Sequence, residues 1–139
     1  MKFSKDFTKI RGDASLREFY RNHKNKTIII FAKKEKNKNL LIYDAINKIL
    51  IKNNIIAPQL VSQNYLKNYI EVQDLGAKTI YQLLNNRNTN KYLTFVKILK
   101  VLRDIQLIKD KKIRNFKKKN YQIKEYKNNI LFNETKLFC

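Results

Sequence analysis

Residues Thr27-Ile28-Ile29-Ile30-Phe31-Ala32 form an uncharged run dominated by β-branched side chains. Continuous apolarity of this kind marks a strand buried on both faces, because a half-exposed strand alternates apolar and polar residues. A chain organised around such a strand needs sheet neighbours on either side and a packed layer over the sheet.

The flanking residues supply both. Phe7 to Ile10 alternates briefly and predicts a first strand, and Arg11 to Ser15 follows as a turn with Gly and Asp chemistry. Leu16 to Arg21 sets Leu16, Glu18 and Tyr20 against Arg17, Phe19 and Arg21, a second strand. Asn22 to Lys26 is a polar turn, so the first three strands read as an antiparallel meander. After a charged loop, Lys33 to Asn39, the period changes. Leu41, Ala45, Ile46, Ile49 and Leu50 lie at helical spacing and predict an amphipathic helix over Leu40–Lys52, closed by Asn53-Asn54 and Pro58. Gln59–Gln63 and Tyr69–Gln73 read as two further strands, and Asp74-Leu75-Gly76 breaks the second of them.

A short helix from Thr79 to Asn85 comes next, then a longer one from Asn90 to about Leu107. In the longer helix Tyr92, Phe95, Val96, Leu99, Leu102 and Ile105 make one stripe. Lys109 to Lys119 reads as a basic, weakly ordered loop. A last helix is expected from Asn128, with Leu131, Glu134, Leu137 and Phe138 at helical spacing. Its apolar final turn reads as an element that has been cut.

The expected class is therefore α+β: a five-stranded, mostly antiparallel sheet with one helix inserted after the third strand, then helices. That order is the order of a protein-kinase-like small lobe followed by the first helices of a truncated helical lobe. The boundary falls after Gly76, with 1–76 carrying a nucleotide-binding turn and hinge and 77–139 an incomplete helical part.

The formal net charge of +20 admits nucleic acid or an anionic surface as partner. The excess is nearly all Lys, and Asn and Ile are equally abundant. These three residues share A/T-rich codons, so base composition accounts for the charge without a dedicated polyanion site. No RNP, KH or zinc-finger pattern is present. Nucleic acid is thus expected to bind only non-specifically through net charge; the alternative is a basic RNA- or DNA-binding module, in which lysines and aromatics interleave near Lys117-Lys118-Lys119-Asn120-Tyr121. The single cysteine, Cys139, excludes a disulfide framework and a cysteine-built zinc site. The first residues lack a signal-peptide apolar core, and no run approaches a membrane span, so the expectation is a cytoplasmic protein without a membrane partner.

Two segments carry candidate chemistry. Gly12-Asp13-Ala14-Ser15 lies between two strands, where small residues let backbone N–H groups point at phosphate and Ser15 can add a hydroxyl. Arg17 and Arg21 share a strand face with Phe19 and can bring guanidinium toward the same anion. Gln73-Asp74-Leu75-Gly76 follows a strand and precedes a helix. At that position a backbone edge can bond an adenine, and Gly76 lets the chain turn away. Taken alone, the first segment is equally a hairpin turn with surface arginines, and the second any strand-to-helix turn. His23 falls in a polar turn and reads as a surface residue.

Gly12-Asp13-Ala14-Ser15-Leu16-Arg17-Glu18-Phe19-Tyr20-Arg21 resembles the opening of the aminoglycoside phosphotransferase-like sugar kinases, nearest the bacterial N-acetylmuramate/N-acetylglucosamine kinases. Ile70-Glu71-Val72-Gln73-Asp74-Leu75-Gly76 is similar to their hinge, with Gln73 in the place of a Glu. Ala57-Pro58 matches their small-Pro step. Tyr126 and Glu134-Thr135-Lys136-Leu137-Phe138 resemble a later segment. The resemblance implies ATP and Mg²⁺ as cofactors and a sugar or amino sugar hydroxyl as acceptor. It implies nucleotide contacts from Gly12, Asp13, Ala14, Ser15, Arg17, Lys33, Gln73, Asp74 and Leu75. Two departures stand out. No Lys lies inside the third strand, so Lys33 or Lys34 would have to reach in from its end, with Asp44 as the helix carboxylate partner. The HxD loop and metal-binding Asp of the family have no counterpart, so the chain as given is expected to be catalytically inactive, with no metal ligands of its own; a degenerate pseudokinase-like interaction domain is a further alternative.

Overall fold

The computed structural model describes residues 6–10, 17–32, 39–123 and 132–133. Five strands form one sheet: β1 (Phe7–Ile10), β2 (Arg17–Asn22), β3 (Thr27–Ala32), β4 (Leu60–Asn64) and β5 (Tyr69–Gln73). Their spatial order is β1-β2-β3-β5-β4, and every pairing is antiparallel. The sheet was expected to be mostly antiparallel; it is wholly so. β3 holds the centre, between β2 and β5, as its unbroken apolar run requires.

Register fixes which residues share a face. Ile10, Phe19, Ile30 and Ile70 form one cross-strand row; Arg21, Ile28, Val72 and Leu60 form the next. This inner face is covered by helix α1 (Asn39–Lys52), which buries Leu40, Leu41, Ala45 and Ile49. Ile30, Ala32, Leu40, Ile70 and Val72 make the core cluster. Each large member contributes roughly 1.5–3 kcal/mol by leaving water. On the outer face Ile29 and Phe31 lie among Tyr20, Tyr69 and polar residues, with Thr27 Oγ1 and Ser62 Oγ both donating to the Glu71 carboxylate.

α1 ends as its asparagines predict. Asn54 adopts φ +60°, the Ile55 N–H donates back to Leu50 O at 2.9 Å, and the Asn54 N–H donates to Ile51 O at 3.0 Å. This is the left-handed helix terminator, with Asn in the position that Gly more often holds. β4 starts one residue later than expected. A 3₁₀ turn, Tyr65–Lys67, and a left-handed Asn68 reverse the chain into β5.

Beyond β5 lie α2 (Ile80–Asn85) and α3 (Lys91–Gln106). Thr79 caps α2 in a reciprocal capping box with Gln82, and the Asn90 side chain caps α3 by accepting from the Leu93 N–H. Neither helix contains a buried residue. The apolar stripe read from the sequence is present, but it faces solvent: Tyr92 is 75% exposed and Leu99 64%.

The segment expected as a loose basic loop is instead a hairpin, β6 (Lys112–Arg114) and β7 (Asn120–Gln122). Asn115 closes it. Its buried Oδ1 accepts from the Lys117 and Lys119 N–H groups, and Lys118 takes φ +58°. Side-chain closure of this kind substitutes for the Asn-Gly pair by which hairpins announce themselves. Phe116 turns inward, edge-on to Tyr65 with ring centroids 5.7 Å apart. Of the last expected helix, only residues 132–133 are among those described; Tyr126, Leu131, Glu134, Thr135, Lys136, Leu137, Phe138 and Cys139 lie outside them. Among the described residues, no helix is long and apolar enough to cross a membrane.

Candidate functional site

On the inner sheet face, beside α1, a cavity of about 340 Å³ opens. That volume lies within the usual range for small-molecule sites. Ile10, Phe19, Ile28 and Val72 supply an apolar ceiling, each from a different strand. Tyr43 and Pro58 bound it on the α1 side; Gln73, Leu75, Gly76, Ala77 and Thr79 bound it along the exit from β5. Arg21 enters from β2, on the same face as Phe19.

The exit from β5 is tightly specified. The Gln73 N–H donates to Gln59 O at 2.9 Å, and the Asp74 N–H donates to Lys26 O at 3.3 Å. Asp74 then folds its carboxylate back. Oδ1 accepts from the Gly76 N–H at 2.8 Å, the three-residue turn for which Asp is suited. Gly76 has φ +105°, which an L side chain rarely adopts, and open space surrounds the position a Cβ would take. Backbone conformation, not crowding, demands the glycine. Leu75 sits between these two anchors, half exposed. Among the described residues, neither its N–H nor its C=O takes part in a hydrogen bond.

The two arginines of β2 are both engaged. Arg21 Nε donates to Asp74 Oδ2 at 2.6 Å, and its Nη2 donates to Asp74 Oδ1 at 3.2 Å and to Gly76 O at 3.0 Å. Burial works against the charged Asp74, but the Arg21 hydrogen bonds, the Gly76 N–H and the nearby positive charge of Arg21 and His23 outweigh it. They hold the carboxyl below its ordinary range. Arg17 lies with its guanidinium carbon 5.1 Å from the centroid of the Tyr43 ring, a cation–π contact at the cavity wall.

Of the expected Gln73, Asp74 and Leu75, Gln73 and Leu75 line the cavity, whereas Asp74 does not and is bonded to Arg21 and the Gly76 N–H. Arg21 was expected to face an anion; among the described residues it faces Asp74. Asp44 was expected to pair with a lysine at the end of β3. Its buried Oδ2 instead accepts from Lys48 Nζ at 2.8 Å and from the Phe116 N–H at 2.7 Å. The β6–β7 hairpin was not anticipated, so neither was its claim on that carboxylate. Gly12, Asp13, Ala14, Ser15, Lys33 and Lys34 lie outside the described residues. Ile10, Ile28, Tyr43, Pro58 and Thr79 were missed as lining residues. Only strand parity, which groups Phe19 with Arg21, hinted at the shared face. His23 is exposed, with Nε2 2.9 Å from Thr8 Oγ1.

Among the described residues, no three His, Cys, Asp or Glu side chains come together as a metal site. Asp44 and Asp74 are already bonded to cations and N–H groups. No family model, no curated protein and no solved structure matches this chain.

Proposed function

We propose that this chain is the ATP-binding part of a phosphotransferase of the aminoglycoside/sugar kinase type, with the adenine seated in the 340 Å³ cavity under the sheet. The observation that carries the reading is the Leu75 backbone. Its N–H and C=O are unbonded among the described residues, at the rim of an apolar slot of the right size for a flat heterocycle. An adenine edge offers one acceptor and one donor side by side, which such a peptide unit can satisfy. Phe19, Ile28 and Val72 would cover one face of the ring. The resemblance assigns the phosphates to Gly12–Ser15, which lie outside the described residues, and to Arg17, whose guanidinium stands over Tyr43 at the cavity wall.

On this reading the five-stranded sheet with α1 is a kinase-like small lobe, and α2 with α3 begins a helical lobe. The described residues are assigned binding, not chemistry. They do not fit Mg²⁺, since the nearby carboxylates are committed elsewhere, so no transfer step is routed through them. The acceptor is a small-molecule hydroxyl, with sugar preferred through the resemblance alone.

The basic hairpin gives less support to a nucleic-acid module. Phe116, beside the lysine run, packs inward on Tyr65 and the core, and Tyr121, the aromatic that follows Lys117–Lys119, is half-buried on β7. Titration with ATP, GTP and a short RNA at 50 and 200 mM salt separates the readings. We expect saturable ATP binding with modest salt dependence and weaker GTP binding. RNA affinity that falls about a thousandfold over that salt range, with no nucleotide response, would overturn the proposal.

A further inference from the structure

Arg21 and Asp74 are 53 positions apart in the chain, yet the guanidinium spends three hydrogen bonds on the two residues that bracket Leu75. One arm and the Nε grip the Asp74 carboxylate, and the same Nη2 reaches the Gly76 carbonyl. The carboxylate in turn holds the Gly76 N–H. The pair is largely removed from solvent, with side-chain exposures of 22% and 12%, so water competes poorly for these bonds. Bidentate guanidinium–carboxylate geometry adds direction as well as attraction. Without it, a segment containing a positive-φ glycine has many alternative paths from β5 to α2.

We infer that Arg21 is a positioning residue for the nucleotide site: it acts through Asp74 and Gly76 to hold the Leu75 peptide edge toward the cavity. The inference rests on the nucleotide reading and gives the strand-two arginine a task other than phosphate contact. A lysine cannot reproduce it, since one ammonium lacks the planar fork that spans carboxylate and carbonyl together.

The test uses the full chain, with ¹⁵N-resolved amide signals of Leu75 and Gly76, their hydrogen exchange, and ATP affinity, measured for wild type, Arg21→Gln, Arg21→Lys and Asp74→Asn. Unshifted methyl signals of Ile30 and Ile70 establish that a variant is folded. We expect Arg21→Gln to shift both amides, speed Gly76 exchange and weaken ATP by about tenfold or more. Arg21→Lys should fall between it and wild type. Asp74→Asn, which leaves the arginine in place, should reproduce the loss and serves if Arg21→Gln does not fold. Unmoved Leu75 and Gly76 amides in a folded Arg21→Gln would overturn the inference whatever ATP does. Moved amides with unchanged ATP affinity would also overturn it, while leaving the nucleotide reading intact. No ATP response in wild type would remove the nucleotide reading and this role together.

Discussion

Asp74 illustrates how far a residue's neighbours decide its use. In sequence it is one acid in a strand-to-helix turn; in the fold its carboxylate joins β2 to the exit of β5 through Arg21 and shapes the glycine turn through the Gly76 N–H. Its carboxyl is held below the ordinary value of 3.8, so the folded chain favours the charged form more than the unfolded chain does. The resulting stability is in place above that ordinary value and is lost as pH falls through the lower folded value. We predict that wild type loses stability below about pH 4 more steeply than Asp74→Asn, measured by urea midpoints across pH 2.5–6. Equal slopes would mean that the pairing carries no net stabilisation. Gly76 yields a second prediction at this scale. Gly76→Ala meets no atom but must adopt φ +105°, and should cost about 1–2 kcal/mol in chemical denaturation.

Elements differed in how openly the sequence declared them. β3 was legible because a β-branched, uncharged run with five consecutive apolar positions reads as a buried strand, and α1 because its apolar spacing and its Asn53-Asn54 terminator agree. Ile30 and Ile70 face each other at the centre of that core. Ile30→Ala should therefore destabilise by about 2–5 kcal/mol in equilibrium unfolding. The β6–β7 hairpin was hidden, because its turn is closed by one asparagine side chain within a lysine run and contains no glycine. Its docking was hidden for another reason: the bond from the Phe116 N–H to Asp44 spans 72 positions, and no local pattern encodes it. Asp44→Ala leaves that part-buried N–H without its acceptor and should cost about 1–3 kcal/mol, whereas Asp44→Asn keeps an acceptor and should cost less. The Arg21–Asp74 pair was unreadable for the same reason, although the Asp-Leu-Gly turn it secures was visible from turn chemistry.

At the scale of the whole molecule the conspicuous asymmetry, among the described residues, lies between a sheet and helix with a buried core and two helices in which no residue is fully buried. Helical period foretold that α3 is amphipathic, but period alone does not say what lies against the apolar stripe. Tyr92, Phe95, Val96, Leu99 and Leu102 all reach solvent, an apolar area of the kind that promotes association. Phe95→Ser with Leu99→Ser should lower binding of an apolar fluorescent dye and leave unfolding midpoints nearly unchanged, since neither side chain is buried. A large stability loss would show instead that the stripe is covered in solution.

The proposed seating of adenine in the cavity under the sheet is the claim on which the functional reading depends. Intermolecular NOEs in a complex with ATP test it most directly. The account predicts contacts from the adenine ring protons to Ile10, Phe19, Ile28 and Val72, with the Leu75 amide proton shifted downfield on binding. Adenine contacts confined to other surfaces, or a Leu75 amide that does not respond to saturating ATP, would contradict it.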